Sequence, residues 1–416
     1  MKRNLKKSAS QTIDATDSKN GKVKDFLFDE KHWAIRYLKA DPGSLFPFQK
    51  KQFQMRRKMF AYSFFILIVF SGMISGCSSH SSKNTSTTDV SGFEALPEEP
   101  PIPKDNPMTP AKIELGKQLY FDMRLSVNGT VSCNSCHNAM SSGTTNLPVA
   151  IGVYGQKDGS RNDPTVWNAA FKTAQFWDGR APSLEEQAKG PILNPVEMGM
   201  PNSKMLVNRI KAIKGYNTEF QDVFGKNDPV TFDDIVKAIA TYERTLITPN
   251  GPFDRYLKGD KDAISASAIK GMMLVKDRGC TACHSGPNFS GPTEPMGQGD
   301  YKKFPTFPNN KYTTKYNLLD DMGLYNVTHK ESDKHMFIVQ SWRNIAITSP
   351  YFHNGSVNVL GEAVRVMAKT QLNQDLTQDQ VSNIVAFLNT LTGPFPKQTM
   401  PILPQTPDST LLMQYQ

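Results

Sequence analysis

Cysteine is scarce in this chain of 416 residues: there are five, at positions 77, 133, 136, 280 and 283. Four form two close pairs and the fifth stands alone, so none is left to staple distant segments by a disulfide. A hydrophobic run long enough to span a bilayer is also missing. The longest, residues 59–76, offers about 15 strongly apolar positions where a span needs about 20. Most of the chain lacks any excess of charge. Residues 1–58 carry 15 of the 48 basic and 6 of the 39 acidic residues, which leaves 33 of each for the other 358. The net +9 therefore belongs to the N-terminal segment and gives no argument for nucleic-acid binding. Beyond residue 108 no period-2 stretch is long enough to argue for a sheet, so helix and loop dominate there and the expected fold is mainly α.

What is present is Cys-x-x-Cys-His, twice: Cys133-Cys136-His137 and Cys280-Cys283-His284. Two thiols one turn apart suit thioether bonds to the vinyl groups of a haem, and the next histidine is placed to ligate its iron. A single zinc site built from both pairs would have to bridge 143 intervening residues and would leave both histidines without a task. The motifs thus predict two covalently bound c-type haems.

The apolar run follows Arg56-Arg57-Lys58 and ends in Ile74-Ser75-Gly76-Cys77. That order of charges, apolar core and small residues reads as a signal peptide over 55–76, with a lipobox that leaves Cys77 as a lipid-bearing N-terminus. Ser78 follows Cys77, and the absence of Asp there points to the outer membrane. The body of the protein is expected to be periplasmic and lipid-anchored. Residues 1–54 precede the signal and read as a misassigned start or a gene-fusion remnant. Within them, residues 23–29 and 32–38 resemble part of a PRC-barrel domain.

Residues 77–108 are rich in Ser, Thr, Pro and acidic residues and read as a tether. Two units are expected beyond it, over 109–250 and 251–398, with a tail over 399–416. The first opens on a helix capped by Thr109, with Pro110 at its first position and Ile113, Leu115, Leu119 and Tyr120 on one side. Another helix is signalled by Thr231 and Asp234, with Phe232, Ile235, Val236 and Ile239 as its stripe. Thr248-Pro249-Asn250-Gly251-Pro252 breaks the pattern. A helix over about 263–278 leads into the second motif. A last one starts at Thr377 with Gln380 as capping partner and Val381, Ile384, Val385 and Leu388 facing inward, and Gly393-Pro394 stops it. Helix, haem motif, loop and closing helix, twice over, describe two fused cytochrome c-like domains.

The sixth iron position decides function, since a protein ligand favours electron transfer and a labile position permits peroxide chemistry. His329, His335 and His353 are unassigned, and methionines are too plentiful for spacing to choose among them. Further motifs narrow the choice. Residues 161–171 (Arg161-Asn162-Asp163-Pro164-Thr165 and onward), Gln175-Phe176-Trp177-Asp178-Gly179-Arg180, Gln187-Ala188-Lys189-Gly190-Pro191-Ile192, Asn194-Pro195-Val196-Glu197-Met198 and Pro252-Phe253-Asp254-Arg255-Tyr256 resemble bacterial di-haem cytochrome c peroxidases. So do Lys334-His335-Met336-Phe337, Arg343-Asn344-Ile345 and Pro350-Tyr351-Phe352-His353-Asn354-Gly355, and the resemblance runs in order over roughly 105–396.

That resemblance implies the following roles. His137 is the proximal ligand of a peroxidatic haem and His284 that of an electron-accepting haem, whose iron Met336 completes. Trp177 lies between the haems, Glu197 is the acid/base of the peroxide pocket with Gln187 nearby, and Asn162 is a ligand of a calcium ion between the domains. The implied reaction is reduction of H2O2 to water with electrons from a small cytochrome c or cupredoxin, by an enzyme that can also form a homodimer. Related MauG-like enzymes, which oxidise protein side chains, carry Tyr where Met336 stands. A plain di-haem electron carrier is the alternative from another class. One departure stands out: the loop 151–156 lacks the histidine that caps the peroxidatic iron in many members, and Tyr154 falls at or next to its place. Either the iron is open from the start or a tyrosinate caps it, and the open iron is expected, since Tyr must lose a proton to bind.

Overall fold

The computed structural model describes the strands at 12–13, 21–29 and 34–40 and then residues 88–406, apart from 158, 160, 226 and 293. The signal segment and Cys77 lie outside the described residues. The chain divides into two compact units, residues 1–83 and 84–416.

In the first unit, β1 (Thr12–Ile13), β2 (Gly21–Asp29) and β3 (Ala34–Ala40) form an antiparallel sheet in that order. It covers the stretch that resembles part of a PRC-barrel domain. The β2–β3 register shifts twice, between Val23 and Asp25 and between Leu27 and Phe28. Each shift interrupts the two-residue alternation by which a strand is recognised.

The second unit is mainly helical. Its helices are α1 (Pro110–Phe121), α2 (Cys133–Cys136), α3 (Leu184–Leu193), α4 (Ser203–Lys211), α5 (Lys214–Phe224), α6 (Phe232–Glu243), α7 (Pro252–Leu257), α8 (Ala266–Asp277), α9 (Lys311–Lys315), α10 (Tyr325–Thr328), α11 (Leu360–Leu372) and α12 (Gln378–Asn389). A short antiparallel pair, β4 (Tyr301–Lys303) and β5 (Met336–Ile338), lies among them. The predicted caps form. Thr109 Oγ1 accepts from the Lys112 amide at 3.3 Å, Thr231 Oγ1 from the Asp234 amide at 3.1 Å, and Thr377 and Gln380 bond reciprocally at 3.3 and 3.0 Å. α3–α5 and α9–α11 are additions to the expected plan, so each haem motif is followed by more helix than a plain loop.

Two helix pairs hold the unit together, α1 on α6 and α8 on α12. Both crossings depend on a glycine. A Cβ on Gly116 would lie 1.9 Å from the Ala238 carbonyl, and one on Gly271 would lie 1.9 Å from that of Asn383. Around these crossings lie two apolar cores. One draws on buried residues between Leu115 and Leu246, the other on buried residues between Phe253 and Leu391.

The stretch expected to be a tether is packed in its described part, and so is the chain beyond α12. The proline-rich stretch 88–108 docks Phe93 edge-on against Phe253 at 5.6 Å and buries Leu96, whose amide bonds Asp254 Oδ1 at 3.0 Å. Two apolar anchors among the prolines suffice for this, because proline brings little backbone entropy to lose. Beyond α12 the chain runs back across the first core: Phe395 packs edge-on against Trp167 at 4.7 Å, and Arg124 donates to the Pro404 carbonyl at 2.9 Å.

Candidate functional site

The first motif is one turn of helix. Ser132 and Ser135 cap α2, with the Ser132 amide donating to Ser135 Oγ at 3.0 Å, and the His137 amide closes the turn on the Cys133 carbonyl at 2.9 Å. His137 Nδ1 lies 2.9 Å from the Pro164 carbonyl. A carbonyl only accepts, so Nδ1 carries the proton and Nε2 keeps its lone pair for a metal. The second motif solves the same problem with different parts. Gly279 turns the chain at φ +84°, the His284 amide bonds the Cys280 carbonyl at 3.1 Å, and His284 Nδ1 donates to the Phe289 carbonyl at 3.1 Å. His284 stacks on Trp342 with centroids 4.3 Å apart, and burial holds its pKa down at about 4, so the imidazole stays neutral and able to ligate.

None of the four motif cysteines is in a disulfide. Beside the second motif lies a cavity of about 250 Å³, walled by Cys280, Cys283 and His284 on one side and by Leu360, Val364 and Met367 of α11 on another. Its wall also includes Trp177 and Pro164, the residue whose carbonyl holds His137. Cysteines at the attachment spacing and outside any disulfide, pinned histidines and a largely apolar cavity fit a covalent haem.

Met336 does not belong to this cavity. Of β5, Phe337 and Ile338 line it, with Phe337 stacked on His353 at 4.8 Å, whereas Met336 at the start of the strand does not. The Met336 carbonyl is taken by the Leu324 amide at 2.8 Å. The methionine in the cavity wall is Met367, and the expectation for Met336 is corrected accordingly. His329 and His335 also stand outside the lining, with His335 Nδ1 tied to the Asp321 carbonyl at 2.9 Å.

Trp177 in the cavity wall is held by two hydrogen bonds. Its Nε1 donates to the Asn162 carbonyl at 2.8 Å and its own carbonyl accepts from Ile338 at 3.0 Å. Asn162 in turn donates through its backbone to the His353 carbonyl at 2.7 Å and through Nδ2 to that of Leu147 at 2.8 Å. His353 is buried with Nε2 unbonded, and burial lowers its pKa to about 4. Among the described residues no three His, Cys, Asp or Glu side chains gather as a metal site. Asn162 commits only its amide nitrogen, to the Leu147 carbonyl, and its Oδ1 is the atom a calcium ion would take.

Glu197 sits half-buried on the turn that leaves α3. Its Oε1 accepts from Asn194 Nδ2 at 2.6 Å, and its neighbour Met198 is buried in the core that also receives Cys133. Gln187 lies half-buried on α3. The loop expected to carry a capping ligand rests on the Glu197 turn. It closes through the Ile151–Lys157 bridge, and the Val153 amide donates to the Glu197 carbonyl at 2.8 Å. Gly152 allows this approach, since a Cβ there would lie 2.0 Å from the Val196 carbonyl. Val153 is buried, whereas Tyr154 sits at φ +60° with its side chain 66% exposed, turned to solvent. Neither supplies an inward ligand.

Two Cys-x-x-Cys-His turns within one helical unit, with Pro164 both holding His137 and lining the cavity beside the second, are the attachment pattern of a di-haem c-type protein. Similarity to known proteins agrees. A sequence model described as di-haem cytochrome c peroxidase matches residues 110–262. The cytochrome c551 peroxidase of Pseudomonas aeruginosa is 42% identical over 320 residues, 76% of this chain and 89% of the relative. That of Nitrosomonas europaea is 43% identical over 310 residues, 74% and 88%. A solved MauG-like protein associated with microbial copper homeostasis superposes with TM-score 0.63 at 27% identity, over 72% of this chain and 95% of the other. The chain belongs to the di-haem cytochrome c peroxidase family.

Proposed function

We propose that this protein reduces hydrogen peroxide to two waters, using two protons and two electrons delivered one at a time by a small periplasmic cytochrome c or cupredoxin. The observation that carries the reading is the asymmetry of the two motifs. The His284 motif faces a cavity with a thioether, Met367, in its wall, while the His137 motif shares its core with a turn that offers a carboxyl group, Glu197, and a loop that offers no ligand.

When bound at the first motif, haem supplies the iron that takes up peroxide and the reducing equivalents that break its O–O bond. The protein's part is proton movement. Glu197 accepts the proton of the inner oxygen and returns it to the outer oxygen, which leaves as water. Asn194 fixes the orientation of the carboxyl through Oε1. Trp177, in the cavity wall and hydrogen-bonded to the Asn162 carbonyl, is the residue that the family resemblance assigns to the route between the two groups. No step passes through calcium. From the sequence at 55–77 we also infer export and a lipid anchor at Cys77; homodimer formation rests on the family resemblance.

The decisive experiment is stopped-flow reduction of peroxide by the fully oxidised, as-isolated holoprotein. With Tyr154 turned outward, we expect a high-spin ferric signal and turnover without prior reduction. A purely low-spin oxidised spectrum with no turnover overturns the open site, and absence of turnover in the half-reduced form as well leaves an electron carrier. The methionine assignment has its own test. Met367→Leu should convert the second haem from low-spin to high-spin, and Met336→Leu should leave its spectrum unchanged; the reverse result restores Met336.

A further inference from the structure

Lys172 lines the cavity but takes no part in the chemistry of either motif. It follows the short turn Ala169–Phe171, and its side chain is buried, only 6% exposed. Of the three protons its ammonium can donate, one has an acceptor in the protein, Gln340 Oε1 at 2.8 Å. Among the described residues no carboxylate pairs with it, and burial alone pushes its pKa down to about 8. Lysine is almost never fully buried without a partner, because an uncompensated charge in a low dielectric costs several kcal/mol. The neighbouring cation Lys302 is already paired with Asp300. Lys172 therefore marks a place where an anion is expected.

Its position says which anion. Lys172 lines the same cavity as Cys280, Cys283 and His284, and Gln340 lies two residues before Trp342, the indole stacked on His284. A haem carries two carboxylates at one edge of an otherwise apolar ring. We propose that Lys172 forms an ion pair with a carboxylate of the haem attached at Cys280 and Cys283, so that a residue preceding the 248–252 break holds the prosthetic group of the motif that follows it. This rests on the haem reading above. Adding an electron to the iron is favoured when the adjacent carboxylate is neutralised, so the pair raises that haem's reduction potential.

The test is Lys172→Met in the holoprotein, with two haems per chain verified by pyridine haemochrome and each haem titrated by spectro-electrochemistry. At a fixed ambient potential the reduced-to-oxidised ratio of the His284 haem should fall about tenfold, equivalent to a shift of about 59 mV for a one-electron couple. Lys172→Arg should retain the wild-type ratio, and the His137 haem should keep its own. An unmoved His284 haem, or a shift confined to the His137 haem, overturns the proposal. Should the variant fail to accumulate, a crystal structure of the wild-type holoprotein decides. Lys172 Nζ within about 3.2 Å of a haem carboxylate oxygen supports the pair, and Nζ held only by Gln340 and water overturns it. A wild-type protein without two haems would instead overturn the haem reading, and this proposal with it.

Discussion

Replacing Glu197 by Gln lowers peroxide turnover by about 100-fold or more, while electron uptake from a small donor proceeds as before. The substitution keeps shape and keeps an amide oxygen able to accept from Asn194 Nδ2, so the turn after α3 and the Val153 contact stay in place. What is lost is the ability to take a proton from one peroxide oxygen and give it to the other. General acid–base groups contribute about 10² to 10⁴ in rate, and a 100-fold loss corresponds to about 2.7 kcal/mol of barrier. Steady-state kcat with peroxide saturating, set beside stopped-flow reduction of the His284 haem by a cytochrome c donor, separates the two. Equal turnover in wild type and variant removes Glu197 from the chemistry. A parallel loss of electron uptake shows that the substitution damaged the structure instead.

The attachment motifs were legible because covalent haem chemistry needs residues close together in sequence, and a five-residue motif cannot be rearranged by tertiary packing. Caps were legible for the same local reason: Thr109, Thr231 and Thr377 each satisfy an amide three residues on. Contacts made across the fold were not. Met367 is one of 18 methionines, and only the packing of α11 beside the second motif singles it out. Its helical setting gave a weak clue, since Ala363, Val366 and Thr370 mark the buried side of α11. Composition misleads where a few anchors decide: Phe93 and Leu96 turn a tether-like stretch into packed structure. Lys172 was invisible because a lysine in sequence looks like a solvated one until its burial is known.

Arg343→Met should destabilise the holoprotein by about 3–5 kcal/mol, lowering its Tm by on the order of 10 °C. Arg343 and Asp254 form a buried ion pair at 2.8 Å, with side chains 1% and 0% exposed. Several segments meet on it. Asp254 accepts from the Leu96 amide at 3.0 Å and the Gly251 amide at 2.9 Å, and Arg343 donates through Nε to the Pro287 carbonyl at 2.9 Å and through a terminal nitrogen to the Glu94 carbonyl at 3.3 Å. Its guanidinium also lies over the Phe289 ring at 5.3 Å. Methionine restores much of the volume but leaves the Asp254 charge buried beside two amides that only partly compensate it. The damage reaches the second haem site, because Phe289 supplies the carbonyl that fixes His284. Thermal unfolding followed by circular dichroism and by haem absorbance should therefore show the His284 haem environment failing first, ahead of the core around α1 and α6. A loss below about 1 kcal/mol would mean that the backbone amides alone carry Asp254, and that the ion pair is dispensable to the frame around His284.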